Sequence, residues 1–235
     1  MRLDNYLVEN GFFESRNKAQ EAIKSGKVLV DNTTITKPSF KVTSNNIKVK
    51  QNKFYVSRAA KKLEEYLKEF FIDFKDKRVL DVGSSTGGFT QIALENGAKS
   101  VDCVDVGSNQ LHPTLREDSK INVYENMDIR DFKGEDYDII ISDVSFISLL
   151  KIVNSINHLA KNNTIITLLF KPQFEVGKDA KRDKRGVVQD KEAIKIAKEN
   201  FLKETQKLNW TLLDNKVSKI SGKEGNIEEF FTFKK

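Results

Sequence analysis

The sequence is poor in cysteine, in proline and in long apolar runs. Its 235 residues include one cysteine, Cys103, and three prolines. A single cysteine excludes a disulfide framework and a cysteine-based zinc site. The longest apolar runs, such as residues 139–141 and 165–170, have the length of a strand, whereas a membrane helix needs roughly 18 residues. The first residues lack the apolar core of a signal peptide, so we expect a cytoplasmic protein that does not enter a membrane.

Positive charge is concentrated at the start of the chain. Residues 1–62 hold 13 basic and 5 acidic side chains, a net charge of +8, whereas the other residues have a net charge of −2. With 38% hydrophobic residues the chain can build a core, which argues against disorder. We therefore expect a module that binds a polyanion, joined to a nearly neutral body.

Hydrophobic periodicity also divides the chain into two parts. The first 50 residues alternate helix and strand patterns, which predicts a small α+β unit with two helices on a small sheet. From residue 57 onward, strands and helices alternate as in an α/β fold with a mostly parallel sheet between helices. Its strands are predicted at 79–82, 100–104, 121–124, 137–142, 164–170, 210–213 and 229–233. We predict domains at 1–52 and 57–235, joined by a linker at 53–56.

The first part carries its basic side chains in a specific pattern. Arg2-Leu3-Asp4, Ser15-Arg16 and Gly26 resemble the small RNA-binding domain first seen in the S-four ribosomal protein. The resemblance implies that this face meets structured RNA by backbone and shape, because side chains cannot read the deep major groove of A-form RNA. A solvated charged face is the alternative. The candidate RNA-binding residues of this part are Arg2, Arg16, Lys18 and Lys27.

A glycine-rich loop follows the first strand of the second part. The loop ends without the Gly-Lys-Ser/Thr of a P-loop, and Ser85 stands where a dinucleotide fingerprint needs its second glycine. The pattern D-x-G-x-x-x-G-G resembles the first motif of class I (Rossmann-like) methyltransferases that use S-adenosylmethionine. This resemblance implies that the loop holds the methionine end of the cofactor. The candidate residues are Asp81, Gly83, Ser84, Ser85, Thr86, Gly87, Gly88 and Phe89.

Acidic residues follow later strands at the intervals that such a cofactor site needs. Asp105 ends the next strand, where a carboxylate can accept hydrogen bonds from both ribose hydroxyls. Asp128 follows the third strand and matches the acid near the adenine of the cofactor. An exposed strand end or a helix cap is the alternative for each acid taken alone.

Two further charged residues follow apolar strands. Asp143 and Lys171 both stand at carboxyl ends of strands, which is where open α/β sheets bind their ligands. A ribose 2′-hydroxyl is a poor nucleophile at neutral pH, so its methylation needs positioning and help in removing the proton. Asp143 and Lys171 are candidates for that help, although a solvated lysine is the alternative for Lys171. The sequence does not fix whether Lys171 is protonated.

Longer motifs identify the family that the chain resembles. Residues 57–63, 105–112, 143–148, 170–175 and 225–228 all look like the TlyA family of rRNA 2′-O-methyltransferases, once called haemolysins, with a catalytic domain similar to FtsJ. The resemblance implies a class I methyltransferase domain with a mostly parallel seven-stranded sheet. It also implies a catalytic tetrad of Lys62, Asp143, Lys171 and Glu228. Lys171 would accept the proton or orient the hydroxyl, Asp143 and Lys62 would tune it, and Glu228 would complete the network.

The family also implies a cofactor, a partner and a substrate. The cofactor is S-adenosylmethionine, with Asp143 near it as well, and the partner is ribosomal RNA or a ribosomal subunit. Members methylate a cytidine ribose of large-subunit rRNA, and longer members also modify the small subunit. Because the chain opens almost directly on Arg2-Leu3-Asp4, we expect the large-subunit type, with small-subunit rRNA left open. The oligomeric state is also left open.

A basic segment, residues 178–186, follows the predicted catalytic lysine. We expect it to lie at the mouth of the active site and to contact RNA phosphates, with a mobile solvated loop as the alternative. Phe174 is a candidate to stack on an extruded base or to line the pocket wall. His112 and His158 have no metal-ligand partners in the sequence, and we expect no metal. The candidate RNA-binding residues of the second part are Arg58, Lys178, Lys181, Arg182 and Arg185.

Three other functions fit parts of the sequence. A non-catalytic RNA-binding assembly factor could keep a cofactor-like fold, but the intact acids and tetrad candidates argue against it. A membrane-lytic toxin is disfavoured because the sequence has no basic amphipathic helix with bulky aromatics. A nicotinamide oxidoreductase is disfavoured by Ser85. We therefore expect an S-adenosylmethionine-dependent RNA 2′-O-methyltransferase.

Overall fold

The computed structural model describes residues 1–50, 53–134 and 136–235. The chain divides into two compact units, Met1–Phe54 and Tyr55–Lys235. The predicted first domain, 1–52, ends at a residue that lies outside the described ones. Of the predicted linker 53–56, residues 53 and 54 belong to the first unit and residues 55 and 56 to the second.

The first unit is the predicted α+β unit. It contains two helices, α1 (Leu3–Glu9) and α2 (Arg16–Lys24), followed by three short strands, β1 (Val28–Val30), β2 (Thr33–Ile35) and β3 (Ile47–Val49). The antiparallel sheet has the order β2-β1-β3. Ser15 caps the start of α2, since its hydroxyl accepts the backbone N–H of Lys18. Its core is formed by side chains from both helices and the sheet, among them Leu3, Leu7, Ala19, Ile23 and Val28.

A buried carboxylate joins the two helices of this unit. The side chain of Asp4 is fully buried and accepts hydrogen bonds from Arg2, from Arg16 (Nε to Oδ2, 3.0 Å) and from Gln20 (Nε2 to Oδ2, 2.7 Å). These donors lower the pKa of Asp4, the Arg2 contact most strongly. Both arginines keep about half of their side-chain surface exposed. Asp4 therefore fixes the two guanidinium groups while leaving each open on one side.

The second unit is the predicted α/β domain with a seven-stranded sheet. Its strand order is β6-β5-β4-β7-β8-β10-β9, in which β9 and β10 run antiparallel to their neighbours and the other pairs are parallel. Apolar side chains of the central strands face helices on both sides and form two cores, one on each face of the sheet. The class I fold predicted from the sequence is confirmed. The elements in chain order are α3 (Arg58–Leu67), β4 (Arg78–Val82), α4 (Gly88–Glu95), β5 (Ser100–Val104), α5 (Pro113–Arg116), β6 (Ile121–Tyr124), β7 (Tyr137–Ser142), a short 3-10 helix (Leu149–Lys151), α6 (Val153–Leu159), β8 (Ala160–Phe170), α7 (Pro172–Glu175), α8 (Lys191–Lys207), β9 (Thr211–Val217) and β10 (Glu229–Lys234).

Sheet topology brings the predicted site residues to one edge. The strands β4, β5, β7 and β8 are parallel, so the residues that follow each of them share the carboxyl edge of the sheet. Strand β10 runs the other way, and its first residue, Glu229, pairs with Phe170 at the end of β8. Glu228 therefore lies beside Lys171 along the sheet edge.

Several elements differ in length from the sequence prediction. The helix expected to be amphipathic over 61–71 begins at residue 58 and ends at residue 67, and the strand expected from 164 begins at residue 160. The strand expected at 210–213 runs to residue 217, because β10 pairs with its whole length. Three short elements, β2, α5 and α7, had no prediction, since each is too short to show a hydrophobic period.

A buried polar network joins four strands of the sheet. Asp102 on β5 is almost fully buried and accepts hydrogen bonds from Tyr137 (Oη to Oδ2, 2.5 Å), Asn122 (Nδ2 to Oδ1, 2.7 Å) and Arg78 (Nη2 to Oδ2, 3.2 Å). The Arg78 guanidinium also lies 4.7 Å from the centre of the Tyr137 ring. Burial raises the pKa of Tyr137, so this hydroxyl stays a donor.

We predict that Asp102→Ala destabilises the second unit by roughly 3 kcal/mol. The change removes the acceptor of the buried Tyr137 hydroxyl and of Asn122, and an unsatisfied buried hydroxyl together with the lost hydrogen bonds typically costs about this much. Urea unfolding followed by circular dichroism measures the loss. An unchanged unfolding midpoint would show that the network contributes nothing to stability.

Candidate active site

The glycine-rich loop after β4 packs against the start of α3. Gly83 and Gly87 have φ angles of +74° and +86°, which glycine adopts without strain. A Cβ at Gly88 would lie only 2.8 Å from the backbone nitrogen of Ala60. Gly88 thus allows α3, which carries Lys62, to approach the loop. The close neighbour of Gly88 is therefore the protein backbone of α3, in addition to the ligand that the sequence predicts near this loop.

Asp81 lies beneath this loop. Its Oδ2 atom accepts hydrogen bonds from the backbone nitrogen and the hydroxyl of Thr90, at 3.0 and 2.6 Å. Burial, with a smaller contribution from the neighbouring Asp143 and Asp105 carboxylates, raises the pKa of Asp81 to about 7, while the hydrogen bonds from Thr90 oppose the shift. The Asp81 carboxyl therefore changes charge near neutral pH.

A cavity of about 310 Å³ opens beside the loop. It lies over the ends of β4, β5 and β7, and its wall includes Gly83, Ser85, Asp105, Asp128 and Asp143. The Asp105 carboxylate accepts the backbone N–H of Ser85 (2.8 Å) and of Gly107 (2.7 Å). The Asp128 carboxylate is held by Arg130, with Nη2 2.6 Å from Oδ2, and this contact lowers its pKa. These contacts orient both carboxylates at the cavity wall.

Lys171 lies at the end of β8 among polar atoms of the loop that follows β7. Its Nζ atom is 2.8 Å from Asp143 Oδ1 and donates hydrogen bonds to Ser145 Oγ (2.8 Å) and to the Asp143 carbonyl (3.3 Å). The Lys171 and Asp143 side chains are 8% and 14% exposed. A second cavity, of about 430 Å³, is lined by both residues together with Ser57, Asp81 and Lys223.

The other tetrad candidates form a second buried ion pair. Lys62 Nζ lies 2.5 Å from Glu228 Oε2, and both side chains are less than a tenth exposed. Gln173 donates from Nε2 to Glu228 Oε1 at 3.3 Å, which leaves each carboxylate oxygen with a partner. The turn that contains Gly222 closes over the pair, since a Cβ there would lie 2.7 Å from Glu228 Oε1. Glu228, not the adjacent Glu229, faces Lys62; Glu229 pairs with Lys198.

Four buried side-chain atoms of the described residues have no hydrogen-bond partner. Three belong to residues that line the second cavity: Ser57 Oγ, Asp81 Oδ1 and Asp143 Oδ1; the fourth is Gln173 Oε1. Asp143 Oδ1 forms its ion pair with Lys171 without hydrogen-bond alignment. Buried acceptors normally have donors, so these atoms fit a ligand that brings N–H groups and positive charge. S-adenosylmethionine, with its ammonium and sulfonium groups, has that chemistry.

Sequence reasoning named the segment 143–148 but gave no role to two of its residues. Ser145 holds Lys171, and Phe146 has a φ of +65° and is 92% exposed, with its ring 5.2 Å from that of Phe174. A bulky residue with positive φ carries strain, which is often found at functional sites. Lys223 at the cavity rim and Gln173 were also missed. Only their contacts reveal them, because no residue pattern in the sequence distinguishes them.

The basic residues predicted to bind RNA differ in how far they are already engaged. In the first unit Lys18 pairs with Glu14 (2.5 Å), and Lys27 is half-buried. In the second, Arg58 donates to the Ser221 carbonyl, and Arg182 donates to the carbonyls of residues 177, 178 and 180. Arg185 lies 3.5 Å from Asp183, while Lys178 and Lys181 are exposed. Arg182 therefore shapes the basic loop, and the lysines present its charge.

Metal-ligand groups and membrane-spanning helices are both absent from the described residues. No group of three or more histidine, cysteine, aspartate or glutamate side chains among them could hold a metal ion. Within the same residues, none of the helices has both the length and the apolar character needed to cross a membrane.

Comparison with known proteins identifies both units. The family model for FtsJ-like methyltransferases matches residues 55–235, and the model for the S4 domain matches residues 1–47. The 23S rRNA (cytidine-2′-O)-methyltransferase TlyA of Campylobacter jejuni is 45% identical, over 99% of each chain. The 16S/23S rRNA (cytidine-2′-O)-methyltransferase TlyA of Mycobacterium tuberculosis is 36% identical, over 97% of this chain and 88% of the relative.

A solved structure supports the same relationship. A protein from Streptococcus thermophilus, provisionally described as a hemolysin, superposes with a TM-score of 0.72 at 32% identity, covering 100% of this chain and 88% of that one. With an FtsJ-like domain over most of its length, an S4 domain before it and relatives of this identity along the whole sequence, the chain belongs to the TlyA family of FtsJ-like methyltransferases.

Proposed function

We propose that the protein transfers a methyl group from S-adenosylmethionine to the 2′-hydroxyl of a cytidine in large-subunit rRNA. The observation that carries the proposal is the buried Lys171 amine, held by Asp143 and Ser145 beside a cavity whose wall includes the glycine-rich loop. The methyltransferase family supports the reaction type. The substrate of the Campylobacter relative supports a cytidine of 23S rRNA.

The residues around the two cavities would bind different parts of the cofactor. Asp105 and Asp128, at the wall of the first cavity, would hold the ribose and the adenine. Asp81, Asp143 and the loop Gly83–Phe89 would hold the methionine end, where buried acceptors lack donors. When bound, the cofactor supplies a methyl group on a positively charged sulfur.

Lys171 would act on the target hydroxyl. Its Nζ atom, once it has released its own proton to solvent, would take the proton of the 2′-hydroxyl that receives the methyl group supplied by the cofactor. Asp143 and Ser145 fix the direction of Nζ, which general-base catalysis requires. Lys62, paired with Glu228 at the same sheet edge, would tune Lys171, and Glu228 would complete the network.

RNA would be held by exposed basic and aromatic side chains. Arg2 and Arg16, fixed by Asp4, and exposed Lys18 give the first unit donors for phosphates. In the second unit Arg58 and Lys223 line the cavity beside Lys171, and the exposed lysines of the basic loop 178–185 would add further contacts to phosphates. Phe146, with Phe174 behind it, offers a ring on which an extruded base could stack. The methylation would take place on ribosomes in the cytoplasm.

The direct test is methylation of ribosomal substrates by the purified protein. Large subunits, small subunits and naked rRNA are each incubated with methyl-labelled S-adenosylmethionine, and the label is mapped to a nucleotide and to base or ribose. We expect label on the ribose of a cytidine in large-subunit RNA. Label on a base, or no label in any of the three substrates, would contradict the proposal, and label on small subunits would extend it.

We predict that Lys171→Ala abolishes methyl transfer but leaves S-adenosylmethionine binding within about threefold. The amine that removes the proton is lost, and a positioned base typically contributes a factor of 10² to 10⁴ in rate. Single-turnover kinetics and calorimetry measure the two quantities. Lys161→Ala is the matched control, because Lys161 also pairs with an aspartate, Asp138, but lies at the opposite end of β8. Normal turnover by the Lys171 variant would remove it from the mechanism.

We predict that S-adenosylmethionine binds more tightly as pH rises from 6 to 8. The pKa of Asp81 is raised to about 7, so its carboxyl is largely protonated at pH 6 and ionised at pH 8. A cationic ligand favours the ionised form, and binding should therefore release a proton. Calorimetry in buffers of different ionisation enthalpy measures that release. Asp81→Asn should lose it, and an equal proton release by this variant would assign the titration to another group.

We predict that replacing Lys178 and Lys181 together with alanine weakens RNA binding and reduces its salt dependence by up to two ion equivalents. Both side chains are exposed, so the change should leave folding and cofactor binding intact. Fluorescence anisotropy at several salt concentrations measures the slope. Lys195→Ala is the matched control, because Lys195 is also an exposed lysine but lies on α8, outside the basic loop. An unchanged slope in the double variant would place RNA elsewhere.

A further inference from the structure

Two segments that leave the sheet side by side are held together along their length. The first, residues 143–149, follows β7 and leads into the 3-10 helix; the second, residues 171–175, follows β8 and forms α7. They meet at their start through Lys171 with Asp143 and Ser145, and in the middle through the Phe146 and Phe174 rings. The catalytic amine is thus only one of several contacts between these segments.

Glu175 closes the far end of this pairing. Its Oε2 atom accepts the Ser148 hydroxyl at 2.6 Å, and its Oε1 atom accepts the backbone N–H of Leu149 at 2.9 Å. Ser148 in turn accepts the N–H of Leu150, so the carboxylate and the hydroxyl together satisfy the first free N–H groups of the 3-10 helix. Both oxygens of Glu175 are used for one purpose, which is to fix where the segment 143–149 ends.

The fixed end matters because the middle of the segment is strained. Phe146 has a φ of +65° and is almost fully exposed, so its own side chain gains little packing to hold this conformation. Such a backbone conformation is energetically unfavourable and persists only when its surroundings impose it. Lys171 holds the segment on one side of Phe146 and Glu175 holds it on the other. Without Glu175 the strained residue would be anchored on one side only.

We propose that Glu175 is a positioning residue for methyl transfer, which acts by holding residues 143–149 so that Asp143 and Ser145 direct the Lys171 amine and Phe146 faces the target nucleotide. This role rests on the proposed function of Lys171. Glu175 touches neither substrate nor cofactor in the cavities, since it lines neither of them. Its effect should therefore appear in the rate of the chemical step and in the order of the segment, with little effect on cofactor affinity.

The test compares Glu175→Ala, Glu175→Gln and a matched control. Alanine removes both acceptors, and we expect kcat to fall at least tenfold while the affinity for S-adenosylmethionine stays within about twofold. Glutamine keeps the length and one carbonyl acceptor for Leu149, and we expect it to recover most of the rate. Asp138→Ala is the control, because Asp138 also accepts a backbone N–H, from Arg78 at 2.8 Å, but lies at the other end of the sheet. It should lower stability without changing kcat.

Hydrogen exchange provides a readout that does not depend on activity. In Glu175→Ala we expect faster amide exchange confined to residues 143–150, and near wild-type protection in Glu175→Gln. Wild-type kcat in the alanine variant, or loss of rate equal to that of Asp138→Ala at equal loss of thermal stability, would overturn the proposal. The wild-type protein is assayed beside the variants on large subunits. If the wild-type protein itself transfers no methyl group, the proposed function fails, while the exchange data still decide whether Glu175 orders the segment.

Discussion

The ion pair between Lys171 and Asp143 is the interaction on which the site depends. Both groups are largely withdrawn from water, and a buried charge without its partner costs several kcal/mol. Each therefore requires the other, and the pair requires the loop after β7 to lie close to the end of β8. Ser145 and the Asp143 carbonyl supply the remaining acceptors for the amine. The conformation of the loop, including the strained Phe146, follows from the need to surround one buried ammonium group with oxygen atoms.

Sheet topology explains how two such pairs come to share one edge. Parallel strands bring Asp143 and Lys171 together from positions 28 residues apart in the chain. The second pair joins residues 166 apart, Lys62 on α3 and Glu228 before β10. It forms because β10 runs antiparallel to β8 and begins where β8 ends. Gly88 contributes indirectly to this pair, because its missing side chain lets α3, which carries Lys62, approach the glycine-rich loop. The antiparallel strand β10 thus has a chemical consequence, because it brings the Glu228 carboxylate to the edge where the parallel strands end.

These origins explain which residues the sequence could predict. Asp105, Asp143 and Lys171 follow apolar strands, so the rule that ligands bind at carboxyl ends of parallel strands was enough to bring them together. Lys62 and Glu228 lie on a helix and a turn, and only the family resemblance joined them; the structure places them in contact, while their catalytic role stays a prediction. Ser145, Gln173 and Glu175 could not be assigned from sequence, because their roles depend on backbone directions in short segments without periodicity. The sequence predicted that Gly88 lies close to a ligand, but it did not predict that α3 packs against this residue, because nothing in the spacing of the glycines indicates helix packing.

The polar atoms without protein partners lie where the proposed cofactor would bind. Ser57, Asp81 and Asp143 each place a buried side-chain oxygen without a hydrogen-bond donor from the protein at the same cavity. Folding retains them even though the rest of the sheet satisfies its buried carboxylates, as Asp102 does with three donors. A ligand that supplies donors and positive charge would pair with these oxygens, so it would bind the folded state and stabilise it more as its concentration rises. In the proposed function these atoms would pair with the cofactor, and they lie where the glycine-rich loop, Asp143 and Lys171 line one cavity.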